Sequence, residues 1–182
     1  MFVQTEETPN PNSIKFILDK QITGYSSLDY DYKTDEAKHS PFARQIFAIG
    51  EVERIFILDD FITITKLPSG NWDVIKPQVL SVIMDFNASS KPIAEGADKI
   101  ERTFDDPIEQ EIYNIIEDRV KPAVAMDGGD IEFVKFDKDE GIVYVSMHGS
   151  CSGCPSSGAT LKDGIARTLK HYIPEVVDVV QV

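Results

Sequence analysis

A chain of 182 residues with 42% hydrophobic residues can bury one or two cores, and its 31 acidic against 18 basic residues leave a net charge of −13. That charge repels nucleic acid and anionic membrane surfaces, and no apolar run approaches the roughly 20 residues that span a bilayer. Two cysteines do not make a disulfide framework, so nucleic acid, membrane and disulfide-stapled classes are set aside.

In chain order, Phe2-Val-Gln-Thr and Ile14 to Leu18 read as strands flanking the turn-rich TPNPNS. Ser40 to about Ile49 reads as a helix with a serine cap and Pro41 at its first position. Val52 to Leu58 and Phe61 to Thr65 read as a hairpin across Asp59-Asp60. A second helix, about Trp72 to Phe86, puts Ile75, Val79, Ile83 and Phe86 on one face, with Pro77 expected in its first turn. The predicted order of this half is β-β-α-β-β-α. Small and charged residues then run from 87 to 107, the mark of an exposed connector. Both halves are acidic, −5 for residues 1–95 and −8 for residues 96–182, so neither is a basic tail.

The second half opens with Asp106-Pro-Ile-Glu109, the signature of a capping box, ahead of Ile108, Ile112, Ile115, Ile116 and Val120. Pro122 is expected to bend or end this helix. Asp127-Gly-Gly-Asp130 reads as a turn before strands Ile131 to Phe136 and Ile142 to Met147, and Trp72 and Phe86 read as core. Leu161, Ile165, Leu169 and Tyr172 mark a helix stopped by Pro174, and Val176 to Val180 reads as a last strand. The result is α-β-β-α-β. The fold class expected is α+β, two small α/β-sandwich-type domains at 1–90 and 105–182 joined by a linker at 91–104.

Both cysteines lie in HGSCSGCPSSG, residues 148–158. Cys154-Pro155 has the form of a helix start, with the cysteine at the cap. Unpaired N–H groups and the macrodipole there favour a thiolate, and helix N-termini and Cys-x-x-Cys settings lower a thiol pKa. A thioredoxin-like dithiol also follows a strand and opens a helix, with Cys151 as exposed nucleophile and Cys154 resolving. Only 28 residues follow Cys154, however, too few for the helix and strand hairpin that such a fold still needs. A closed zinc site needs four ligands, and His148 with Cys151 and Cys154 leaves one missing. Iron–sulfur clusters of the 2Fe-2S and 4Fe-4S types use four thiolates, so this chain holds half a set, which a second copy across a two-fold axis completes. No nucleophile-base pair, P-loop or dinucleotide fingerprint is present, and the chain reads as a non-enzyme.

Asp127-Gly-Gly-Asp130, Gly149-Ser-Cys-Ser-Gly-Cys-Pro-Ser-Ser157, Leu161-Lys-Asp-Gly-Ile165 and Tyr172-Ile-Pro-Glu-Val176 resemble segments of the Nfu family, the NifU-like iron–sulfur cluster proteins. QTEETPNPNSIKFI, Ser40-Pro-Phe-Ala-Arg44 and Ile83-Met-Asp-Phe86 resemble that family's N-terminal accessory domain. The resemblance implies a 4Fe-4S cluster held by Cys151 and Cys154 of each of two chains, received from upstream iron–sulfur assembly proteins and delivered to apo iron–sulfur clients. The N-terminal domain offers no ligand set or nucleophile, so partner recognition is the role expected of it. The N-terminus MFVQTEETPNPNS lacks a basic n-region and an apolar h-region, so a bacterial cytoplasmic location is expected, with the mature form of a mitochondrial-matrix protein as alternative.

Overall fold

The computed structural model describes residues 2–19, 27–89, 102–152 and 157–182, apart from the side chains of 36 and 157–160. The chain divides into two compact units, Met1–Ile100 and Glu101–Val182, each of mixed α+β structure. The expected linker falls largely outside the described residues. Among the described residues no helix is long and apolar enough to cross a membrane.

The first unit is a five-stranded antiparallel sheet in the order β1-β2-β5-β4-β3, with β1 Val3–Glu7, β2 Ser13–Leu18, β3 Leu28–Asp31, β4 Val52–Leu58 and β5 Phe61–Lys66. The hairpin expected at Asp59-Asp60 forms, with Leu58 opposite Phe61. α1 (Pro41–Phe47) and α2 (Trp72–Ala88) contribute Phe42, Ala43, Ile46, Ile75, Val79, Ile83 and Phe86 to the same buried cluster as Phe16, Ile55, Ile57, Ile62 and Ile64 of the strands. Phe42 and Phe86 meet edge to face at 5.2 Å, and Trp72 packs half-buried at the margin.

Two features depart from expectation. β3 is an extra strand: its sequence LDYD carries two acids in four residues, and the fold tolerates them by setting Arg54 of β4 3.2 Å from Asp29 and 3.8 Å from Asp31. Pro77 lies in the second turn of α2, because the cap is Asn71, whose side chain accepts the Asp73 N–H at 2.9 Å. There its ring takes away the N–H that would otherwise reach the Asp73 carbonyl.

The second unit has a three-stranded sheet, β6 (Gly129–Asp137), β7 (Ile142–Gly149) and β8 (Asp178–Gln181), in the order β6-β7-β8. β6 and β7 are antiparallel; β8 runs parallel to β7 after the crossover helix α5 (Ser157–Tyr172). A bulge between Phe133 and Lys135 shifts the alternation, so Ile131, Phe133 and Phe136 all reach the core. On β7 the strict alternation buries Val143, Val145 and Met147 and leaves His148 half-exposed.

The predicted opening helix does not end at Pro122. α3 (Pro107–Ile115) runs into a π-helical turn at Ile116–Val120, closed by the Lys121 N–H on the Ile116 carbonyl, and continues as α4 (Lys121–Met126) with Pro122 in its first turn. The reason is visible in the buried residues Ile112, Ile116, Val120 and Val124. A strict four-residue spacing advances 400° per step, about 40° past a whole turn of α-helix. A wider turn absorbs that drift and keeps all four against the sheet. Asp106 caps α3 by accepting the Ile108 N–H at 2.7 Å, but Glu109 does not complete a capping box; its carboxylate instead accepts the Phe136 N–H at 3.4 Å.

Candidate functional site

Cys151 sits two residues beyond the end of β7. Gly149 turns the chain with φ 68°, and Ser152 N–H donates to the Gly149 carbonyl at 3.1 Å. Ser150 is buried and fastened to the chain that precedes β6: its N–H donates to the Gly128 carbonyl at 3.2 Å, and its hydroxyl donates to the Asp127 carbonyl. The Asp127-Gly-Gly-Asp130 segment therefore does more than turn the chain. Gly128, at φ 79°, takes the left-handed conformation after α4, and Gly129 opens β6 opposite Gly149.

Gly129 lies against the thiol. A β-carbon there would lie 2.6 Å from Cys151 Sγ, 2.8 Å from the His148 carbonyl and 3.2 Å from Cys151 Cβ, so only a glycine leaves the sulfur its place. With this neighbour and Ser150, whose hydroxyl is 3.8 Å from the sulfur, Cys151 is only 6% exposed. The exposed nucleophile of a dithiol oxidoreductase is not what this geometry gives. Nothing in the order of amino acids distinguishes the second glycine of the pair from a turn residue; the contact arises when β6 and β7 pair in register.

Cys154 and the helix cap expected at Cys154-Pro155 lie outside the described residues, and α5 begins at Ser157. Charged groups surround the described part. Asp130, 4% exposed, lies 3.9 Å from Lys121, which also pairs with Glu117 at 2.7 Å. Burial works to lower the Lys121 pKa, but the hydrogen bond to Glu117 and the charges of Asp130 and Glu117 outweigh it, so the ammonium is held above its usual range. His148 lies 3.8 Å from Glu132, and Arg102 pairs with Glu132 at 2.5 Å while donating to the Phe133 carbonyl at 3.1 Å. The neighbouring His148 imidazole foremost, with the Arg102 charge, holds the Glu132 carboxyl below the usual range against its partial burial.

Among the described residues no three of His, Cys, Asp and Glu converge as a metal site. Within the second unit His171 does not join Cys151 but stacks edge-on to Tyr172 at 4.9 Å. The site's one strong soft donor among the described residues is the Cys151 sulfur, closely packed by Gly129 and Ser150, and a thiolate favours soft metals over hard, oxygen-seeking cations.

Comparison with known proteins defines the class first. The family described as "Scaffold protein Nfu/NifU N terminal" matches residues 3–90, and the family described as "NifU-like domain" matches residues 112–180. The NifU-like protein 5, mitochondrial, of Arabidopsis thaliana is 42% identical across all of this chain and 68% of its own length. The NFU1 iron-sulfur cluster scaffold homolog, mitochondrial, of Drosophila grimshawi is 44% identical over all of this chain and 61% of its own. The solution structure of a NifU-like protein from Saccharomyces cerevisiae is 30% identical, covers 52% of this chain and 85% of that one, and has a TM-score of 0.49. The chain belongs to the Nfu family of NifU-like scaffold proteins. It spans about two thirds of the length of these curated relatives.

Proposed function

We propose that this chain is an iron–sulfur cluster scaffold and carrier, non-catalytic, that holds a 4Fe-4S cluster between two copies through Cys151 and Cys154 of each. The observation that carries the reading is the thiol cradle: a cysteine fixed at a strand end by Gly129 and Ser150, in a chain with two cysteines in all. Four thiolates hold such a cluster, so each copy supplies half. Ligation requires each thiol to lose its proton, so uptake releases protons and weakens in acid. Cys151, shielded as it stands, presents its sulfur by a side-chain rotation away from Gly129. With two ligands per chain, delivery is thiolate-for-thiolate exchange with an apo client, and no oxidation or reduction is needed.

The cluster-binding part is residues 105–182. Residues 1–90, which bring no ligand set, recognise partners: upstream assembly proteins on one side and apo iron–sulfur proteins on the other. Residues 91–104 link the two. The compartment we infer is the mitochondrial matrix, the alternative of the two sequence readings, since the Arabidopsis and Drosophila relatives named above are mitochondrial; the bacterial cytoplasm finds no support from these two.

Anaerobic reconstitution with ferrous iron and sulfide tests the reading. The expected product is a brown dimer with about four irons per two chains, lost when either Cys151 or Cys154 becomes alanine. A strictly monomeric chain that retains a stable cluster, or iron content indifferent to both substitutions, overturns it.

A further inference from the structure

Met126 is the most exposed large apolar residue among those described, at 78%. An isolated apolar side chain on a surface needs no explanation; the position of this one does. It ends α4, and the next three residues are tied in turn to the cysteine loop: Asp127 and Gly128 by their carbonyls to Ser150, and Gly129 by direct contact with Cys151. Met126 therefore stands at the same end of the unit as the thiol, held by the same cradle. Val177, another exposed apolar residue of this unit, donates its N–H to the Gly141 carbonyl at 2.7 Å, at the far end of β7.

We infer that Met126 is a contact through which a second copy of this chain closes over the shared cluster, an inference that rests on the function proposed above. A half set of ligands obliges the second copy to approach at the Cys151 end, and a two-fold axis through the cluster brings the same surface of both copies to that axis. A thioether suits such a contact, being unbranched, polarisable and able to fill an irregular gap. Val177, at the opposite end, stays in solvent. Among the described residues His148, Ser150 and Ser152 at this end are polar, so Met126 supplies an apolar part of the seal.

The test uses the full-length chain as Met126→Lys, Met126→Leu and Val177→Lys, reconstituted anaerobically and challenged with a ferrous chelator, with dimer content read by sedimentation. Lysine is the informative replacement. Beside a net-negative cluster in open solvent a cation favours retention, whereas between two copies it sets two like charges face to face. Like-charge juxtaposition costs several kcal/mol, so Met126→Lys should lose iron at least about tenfold faster and sediment as monomer. Met126→Leu and Val177→Lys should match the parent chain, and the urea midpoint of the apo Met126→Lys chain should not move. A loaded Met126→Lys dimer as durable as the parent, or an equal loss in Val177→Lys, overturns this inference alone. A parent chain that takes up no iron overturns the cluster reading and this inference with it.

Discussion

Replacing Gly129 by alanine puts the packing argument to a quantitative test. Gly129 does not occupy the left-handed region of the backbone, so alanine carries no conformational penalty there and any cost comes from the added methyl. That methyl would stand 2.6 Å from Cys151 Sγ and 2.8 Å from the His148 carbonyl. The sulfur can swing aside at the cost of its rotamer, but the carbonyl is backbone at the end of β7, paired to β6 in register. Overpacking of this kind costs about 1–3 kcal/mol. The chain's single tryptophan, Trp72, lies in the first unit, so its fluorescence is blind to the change and serves as an internal control. Hydrogen exchange of the β6 and β7 amides reports the second unit directly. A loss of 1–3 kcal/mol should accelerate globally protected amides by about 5- to 150-fold, with Trp72 unfolding at an unchanged denaturant concentration. Gly164→Ala on α5 is the counterpart: nothing lies within 4 Å of its new methyl, and a helical glycine made alanine should gain about 0.5–1 kcal/mol. Exchange in Gly129→Ala within twofold of the parent, or the same loss in Gly164→Ala, would refute the reasoning.

Two further outcomes follow. Ser40→Ala removes the hydroxyl that accepts the Ala43 N–H at 3.1 Å in a buried setting, and should lower the stability of the first unit by about 1 kcal/mol, read as an earlier Trp72 transition in urea; an unmoved transition would mean that the cap is immaterial. Because the Glu132 carboxyl is held below its ordinary value of 4.5 in the folded chain, its contribution is present above that value and is lost as pH falls through the depressed one. Glu132→Gln should flatten this acid limb in a tyrosine near-ultraviolet titration and leave neutral pH little changed, whereas an identical limb in the variant would remove Glu132 from the account.

The sequence was most legible where local chemistry decides. Ser40-Pro41 and Asp106-Pro107 start helices because a side-chain oxygen and a missing N–H both suit a helix N-terminus, and each does so in the structure. The α-β-β-α-β order of the second unit follows from apolar periodicity in the same way. What stayed hidden depends on distant partners. β3 has a poor strand composition that the ion pairs with Arg54 help to offset, and Glu109 leaves its own helix terminus for an amide of β6. At the site, the cysteine spacing was plain, but the close approach of Gly129 and the ion pair of Asp130 with Lys121 required the paired strands and the helix beside them.

The wide turn at Ile116–Val120 has a consequence for how this segment can vary. It holds one residue more than an unbroken α-helix would need over the same rise. Excising one position within it would restore regular winding and leave what lies beyond nearly where it stands, since eleven residues of α-helix turn about 1,100°, close to three full turns. An added position has no further wide turn to absorb it and would rotate what lies beyond by about 100°, taking Val124 towards solvent and the peptide before Asp127 away from Ser150. Between Pro107 and Gly129, then, the loss of one residue at Ile116–Val120 should be the change of length that the second unit survives best, and a gain of one the change that it survives worst.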